Sequence, residues 1–255
     1  MKKLSVILIT KNEADCIARC LDSVAFADEI IVFDSGSQDD TVDICKRYTD
    51  KVFVTDWPGF GLQKQRALDQ AQGEWVLSID ADEWVTPPLA KEIQEAVQLA
   101  DNQTAAFEIP RLSSYCGKPM RHGGWFPDYC LRLFRRERGH FTPVPVHERI
   151  EVSGPVKRLQ TPFQHEAFVD LEEVLHKVNG YSSLGARQQF EAGKRGSLSK
   201  AVFKGLWAFI RTYFLKAAIM DGREGFMLAV SNAEGTYYKY LKLMDLERLQ
   251  QERRP

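Results

Sequence analysis

WVLSIDADEWV, residues 75–85, decides the fold. It is almost wholly apolar from Trp75 to Ile79 and then meets three acids, Asp80, Asp82 and Glu83. A short apolar run of this kind is a strand covered on both faces, so the acids mark the point where the chain leaves the core. Working outward, Leu4–Ile9 and Glu29–Phe33 repeat the pattern, each a β-branched run followed by a polar stretch: Thr10-Lys11-Asn12-Glu13 after the first, Asp34-Ser35-Gly36-Ser37-Gln38-Asp39-Asp40 after the second. Helical spacing fills the intervals over 12–24, 41–48 and 63–71, with a further strand at 51–54.

Strands alternating with helices predict a doubly wound, mostly parallel sheet, because parallel neighbours need a crossover and the crossover is right-handed. Ligands of such sheets bind beyond the carboxyl ends of the strands, the edge where all three acid-bearing turns fall. Past a helix at 88–99 the rhythm changes to shorter strands at 105–112, 131–135 and 149–152, and from Asp170 it is helical. The expected organisation is a catalytic domain over 1–168 and a helical region over 169–255, with soft boundaries at 165–170 and 193–199.

Composition narrows the function. Lys and Arg number 34 against 35 Asp and Glu, a net charge of -1, so no global excess attracts nucleic acid. Five scattered cysteines without a CxxC pair fit a reducing compartment better than a disulfide framework or zinc cluster. The apolar run after Lys2 and Lys3 is shorter than a signal-peptide core, and no run approaches the roughly 18 apolar residues of a membrane span.

An apolar strand ending in Asp-x-Asp can gather a divalent cation and a substrate phosphate, although Asp80 and Asp82 taken alone are more often the acids of a loop or helix cap. Asp34 and its Gly- and Ser-rich turn have the same two readings, as a ribose or base contact or an ordinary capped turn with Ser37 or Asp39 as N-cap.

ILITKNEA (7–14), DSGSQDDT (34–41) and GEWVLSIDADE (73–83) together resemble the nucleotide-sugar elements of inverting family 2 glycosyltransferases with the Rossmann-like GT-A fold. GGWFPDYCLRLFRR (123–136), PVHERI (145–150) and the later KVNGYSS and MDGREGF segments are similar to the branch acting on lipopolysaccharide core sugars, as in heptose glucosyltransferases. The resemblance implies a uridine-diphosphate sugar held by Thr10, Glu13, Asp34 and Ser35, with Lys64 at nucleotide or diphosphate. It also implies Mg²⁺ or Mn²⁺ bound by Asp82 and assisted by Asp80, with Glu83 orienting its neighbours. Lys64 is otherwise a solvated helix-face lysine.

Inversion needs a base for the acceptor hydroxyl, usually a carboxylate. The Glu-Asp pair that supplies it in many relatives has no clear copy here. Glu148, between two short strands, is the first choice, with His147 beside it positioning metal, phosphate or acceptor; an edge glutamate paired with Arg149 or Arg135 is the other reading. Asp128 is the alternative base or an acceptor contact. Trp125 and Phe126 can stack on a sugar ring, though such aromatics are often core, and His165 is either a further metal ligand or structural.

The implied reaction moves a hexose, glucose in the first instance, to a lipid-linked inner-core oligosaccharide. Two other readings remain: a glycosyltransferase-like membrane adaptor without turnover, and an aspartate-nucleophile phosphatase, which also ends a strand in Asp-x-Asp. Between Gly193 and Met220 lie six basic residues and no acid, with Phe203, Leu206, Trp207, Ile210, Tyr213 and Phe214 at helical spacing. Such a segment is either a core helix or one lying on an anionic bilayer. With a glycolipid acceptor, the expected location is cytoplasmic, peripheral on the cytoplasmic face of the inner membrane.

Overall fold

The computed structural model describes residues 3–143 and 148–252. The chain up to Arg111, with Asp128–His165, makes one compact unit; Leu112–Pro127 with the chain from Glu166 onward makes another.

The first unit opens with β1 (Leu4–Thr10), α1 (Ile17–Ser23), β2 (Glu29–Asp34), α2 (Thr41–Cys45), β3 (Val52–Val54), α3 (Phe60–Asp69) and β4 (Trp75–Ser78). Every residue of β1 is buried. Its alternation sends Leu4, Val6 and Leu8 into a core shared with Ile17 and Leu21 of α1, while Ile7 and Ile9 enter a second core with Ala67 and Leu68 of α3. The strand is therefore mostly apolar because both faces are covered. Parallel pairing joins β3, β2, β1 and β4 in that order.

Beyond β4 the mostly parallel sheet takes on antiparallel strands. After β5 (Glu83–Trp84), α4 (Pro87–Leu99), β6 (Ala106–Tyr115) and β7 (Lys118–Pro119), β8 (Asp128–Arg135) adds antiparallel to β4 and to β6. The change of rhythm after Leu99 is thus a change to antiparallel pairing, which needs no crossover helix. Short strands β9 (Gly139–Phe141) and β10 (Ile150–Val152) form a separate ribbon, β11 (Val156–Arg158) pairs with β6, and β12 (Phe163–Phe168) pairs with β5.

In the second unit, Asp170 caps α5 (Leu171–Glu191): its carboxylate accepts from Glu173 N at 2.9 Å, and Glu173 Oε2 accepts from Val169 N at 2.8 Å. That reciprocal box fixes the helix start. α6 (Leu198–Ile210) and α7 (Gly222–Glu252) follow. A small core of Tyr115, Met120, Val174 and Leu228 joins the 112–127 segment to α5 and α7, with Trp125 and Phe168 against it. Among the described residues no helix is long and apolar enough to cross a membrane.

Candidate active site

The first two strand exits are bonded to each other. Asn12 N donates to Ser37 Oγ (2.8 Å), Glu13 N to Thr41 Oγ1 (2.8 Å), and Gln38 N donates back to Asn12 Oδ1 (2.8 Å). These bonds, with Asn12 at φ 56°, hold residues 12–14 out of the helix expected from residue 12, so α1 starts only at Ile17. Asp34 is fully buried, and its carboxylate accepts from Gly36 N and Ser37 N at 2.8 Å each and from Ser37 Oγ. Asp34, the expected nucleotide contact, thus also shapes its own turn. Ser35 Oγ accepts from the buried Gln63 Nε2 at 3.1 Å, whereas Thr10 Oγ1 at the end of β1 is buried with no hydrogen-bond partner among the described residues. A buried hydroxyl left unmatched beside this edge is a group a ligand or water can satisfy.

The third exit is an ion-pair network. Lys64, on α3, is buried, and its Nζ lies 2.9 Å from both Asp80 Oδ1 and Glu148 Oε1. It is therefore not a solvated lysine. Close approach of α3 to Thr142 and Glu148 depends on Gly61, where an added Cβ would fall 1.9 Å from the Thr142 carbonyl oxygen and 3.3 Å from Glu148 Cβ. On the other side Arg132, from β8, donates at 2.6 Å to Asp80 Oδ2 and at 2.6 Å to Glu83 Oε1. Glu83 is itself buried and accepts from Asp80 N at 3.0 Å.

Burial opposes the charge on Lys64, but Asp80 and Glu148 beside it hold its ammonium above the ordinary lysine value. Burial likewise opposes ionisation of Asp80, yet Arg132 and Lys64 outweigh it and keep the carboxyl well below the usual range. Glu83 is displaced upward by burial, with Arg132 pulling against it and Asp80 adding to it. Glu13 is raised too, first by burial and then by Asp82, Asp39 and Asp80, and its bond from Cys16 only partly offsets this. The edge thus concentrates negative charge that a cationic ligand can relieve.

Asp80, expected beside Asp82 at a cation, has both oxygens in ion pairs with Lys64 and Arg132. Among the described residues no group of three His, Cys, Asp or Glu side chains is arranged to hold a metal. The register of β12 against β5 pairs His165 with Glu83 and sets His165 Nε2 3.4 Å from Asp82 Oδ2. One carboxylate and one imidazole are donors that would suit Mg²⁺ or Mn²⁺.

The profile of glycosyl transferase family 2 matches residues 5–151, which hold all three exits and Glu148. The chain belongs to glycosyl transferase family 2. An uncharacterised glycosyltransferase of Rickettsia prowazekii is 32% identical over 96% of this chain and 88% of its own length. The lipopolysaccharide core biosynthesis glycosyltransferase LpsC of Rhizobium meliloti is 31% identical over 90% of this chain and 87% of its own. Glucosyl-3-phosphoglycerate synthase of Mycobacterium tuberculosis, solved with Mn²⁺ and uridine-diphosphate-glucose, shares 26% identity over 44% of each chain at a TM-score of 0.37, a partial likeness that assigns neither donor nor metal here.

In this family 2 glycosyltransferase, Lys64 joins Asp80 to Glu148, which lies 84 positions beyond the lysine in sequence. Asp128 is taken up by Arg111, which donates at 3.0 and 2.6 Å, and Trp125 belongs to the second unit, edge-on to Tyr115. His147 lies outside the described residues. Arg132 and Arg111 are the site residues that sequence reasoning missed. Arg132 did leave a signal, a charge set between Leu131 and Leu133 in an apolar strand, which must find a buried partner.

Proposed function

We propose that this glycosyltransferase moves a hexose, glucose in the first instance, from a uridine-diphosphate sugar to the inner core of a lipid-linked lipopolysaccharide precursor, with inversion. The likeness to LpsC over 90% of the chain supports this acceptor class. The observation that carries the chemistry is the lysine bridge, which holds Glu148 within one side chain of the donor-edge acids.

Glu148 accepts the proton of the acceptor hydroxyl as that oxygen bonds to the anomeric carbon. The bond from that carbon to the diphosphate oxygen breaks, and its electron pair leaves with the nucleotide. Lys64, charged and already at the junction, turns from Glu148 toward the diphosphate when donor arrives, freeing the carboxylate to act as base. Thr10 Oγ1 offers its unmatched hydroxyl to the nucleotide. Bound by Asp82 and His165, Mg²⁺ or Mn²⁺ would supply neutralisation of the charge that collects on the leaving group.

The test is transfer from radiolabelled nucleotide sugars to truncated core glycolipids, with and without chelator. Glu148→Gln should lower kcat by about 10²–10⁴-fold with donor affinity retained, and Asp82→Asn should weaken metal-dependent donor binding. Wild-type turnover by Glu148→Gln removes the base from this residue and passes the role to Asp128.

A further inference from the structure

We propose that α6 and the turn that follows it, residues 198–220, form a wedge that inserts into the interface of an anionic lipid bilayer. The helix is turned the opposite way from an ordinary core helix. Its buried residues are small, Ala201, Gly205 and Ala208, and a Cβ at Gly205 would lie 3.2 Å from the Ala233 carbonyl oxygen on α7. Close packing therefore uses the small side chains. The bulky ones point to solvent: Phe203 is 67% exposed, Leu206 58%, Trp207 46%, Phe214 56%, Leu215 66% and Met220 70%.

Burying small residues and exposing large apolar ones is unfavourable in water, and an apolar patch of this extent marks an interaction surface. Charge selects the partner. With 3.6 residues per turn, Lys204 and Arg211 fall between the bulky sector and the buried one, at the rim of the apolar face. No acid interrupts residues 192–220. Apolar side chains below a cationic rim match acyl chains below anionic headgroups. The turn is braced, not loose: Gly123 N donates to Lys216 O at 2.8 Å, and Tyr213 and Phe209 each pack against Phe226 of α7 with ring centroids 5.6 Å apart. The face is thus built before it meets a membrane.

The proposal does not rest on the sugar-transfer reading, and vesicles without saccharide keep the two apart. The full chain is sedimented with vesicles of phosphatidylcholine alone and of phosphatidylcholine mixed with phosphatidylglycerol. The expected result is binding to the anionic vesicles that falls by about fivefold for each basic residue removed, hence roughly 25-fold for Lys204→Gln with Arg211→Gln. Leu206→Ser with Trp207→Ser should abolish binding while leaving the melting temperature unchanged, since both side chains are exposed. Equal binding to neutral and anionic vesicles, or none to either, overturns the proposal. So does a solution dimer that Leu206→Ser with Trp207→Ser converts to monomer, which would assign the face to a second copy of the chain.

Discussion

Replacing Arg132 with leucine tests whether a buried cation holds the acid corner. The guanidinium contacts Asp80 and Glu83 at 2.6 Å each, and the Glu83 side chain is only 1% exposed. Leucine continues the apolar pattern of β8 but leaves Glu83 with Arg111 Nη1, 3.7 Å away, as its nearest recorded cation. Removing one partner of a buried pair costs about 3–5 kcal/mol. Asp80 is a third exposed and keeps Lys64, so the loss falls mainly on Glu83 and the lower end, about 3 kcal/mol, applies. In a chain of this size that lowers Tm by about 6–12 °C.

The pH dependence gives a sharper test. Burial already raises Glu83, and Arg132 opposes the rise; without the arginine it climbs further. A carboxyl raised in the folded state contributes stability that is fully present below its unfolded value, about 4.3, and is lost as pH rises through the folded value. The deficit of Arg132→Leu against wild type should therefore be small near pH 5 and grow toward pH 8. Adding Glu83→Gln, which cannot ionise, should flatten that growth. Thermal melts of the three proteins across this range decide the matter. A deficit independent of pH, or one that Glu83→Gln leaves untouched, would refute the reasoning.

Gly61→Ala should be costly despite its size, because the new methyl meets backbone at 1.9 Å; a loss of about 1–3 kcal/mol in denaturant melts is expected, with reduced turnover as Glu148 is pushed from Lys64. Cys45 and Cys130 should resist thiol reagents in the native state. Burial pushes both up to about 11, helped at Cys45 by Asp34 and opposed at Cys130 by Arg111 and Arg132, so labelling at pH 8 should accelerate by roughly 100-fold on unfolding in urea.

The parallel half of the sheet was legible because β1, β2 and β4 each carry a short apolar run that stops at a polar turn, a pattern that leaves few alternatives. The antiparallel return of β8 was not, since periodicity identifies a strand without naming its neighbour or direction. The same limit applies within the site. Asp82 and Glu83 announce themselves by position at a strand exit, but the pairing of Lys64 with Glu148 exists only once α3 is folded against a distant segment. For α6, spacing revealed an apolar stripe, yet only the packing of Ala201, Gly205 and Ala208 on α7 tells which way the stripe faces.

The cross-bonded turns after β1 and β2 have a consequence for engineering. Backbone amides of Asn12, Glu13 and Ala14 depend on Ser37, Thr41 and Asp39, while Gln38 depends on Asn12 in return. Transplanting one turn from a relative with another sugar preference would strand amides in both. A chimera meant to redirect specificity should exchange 10–14 and 34–41 together, as a single cassette.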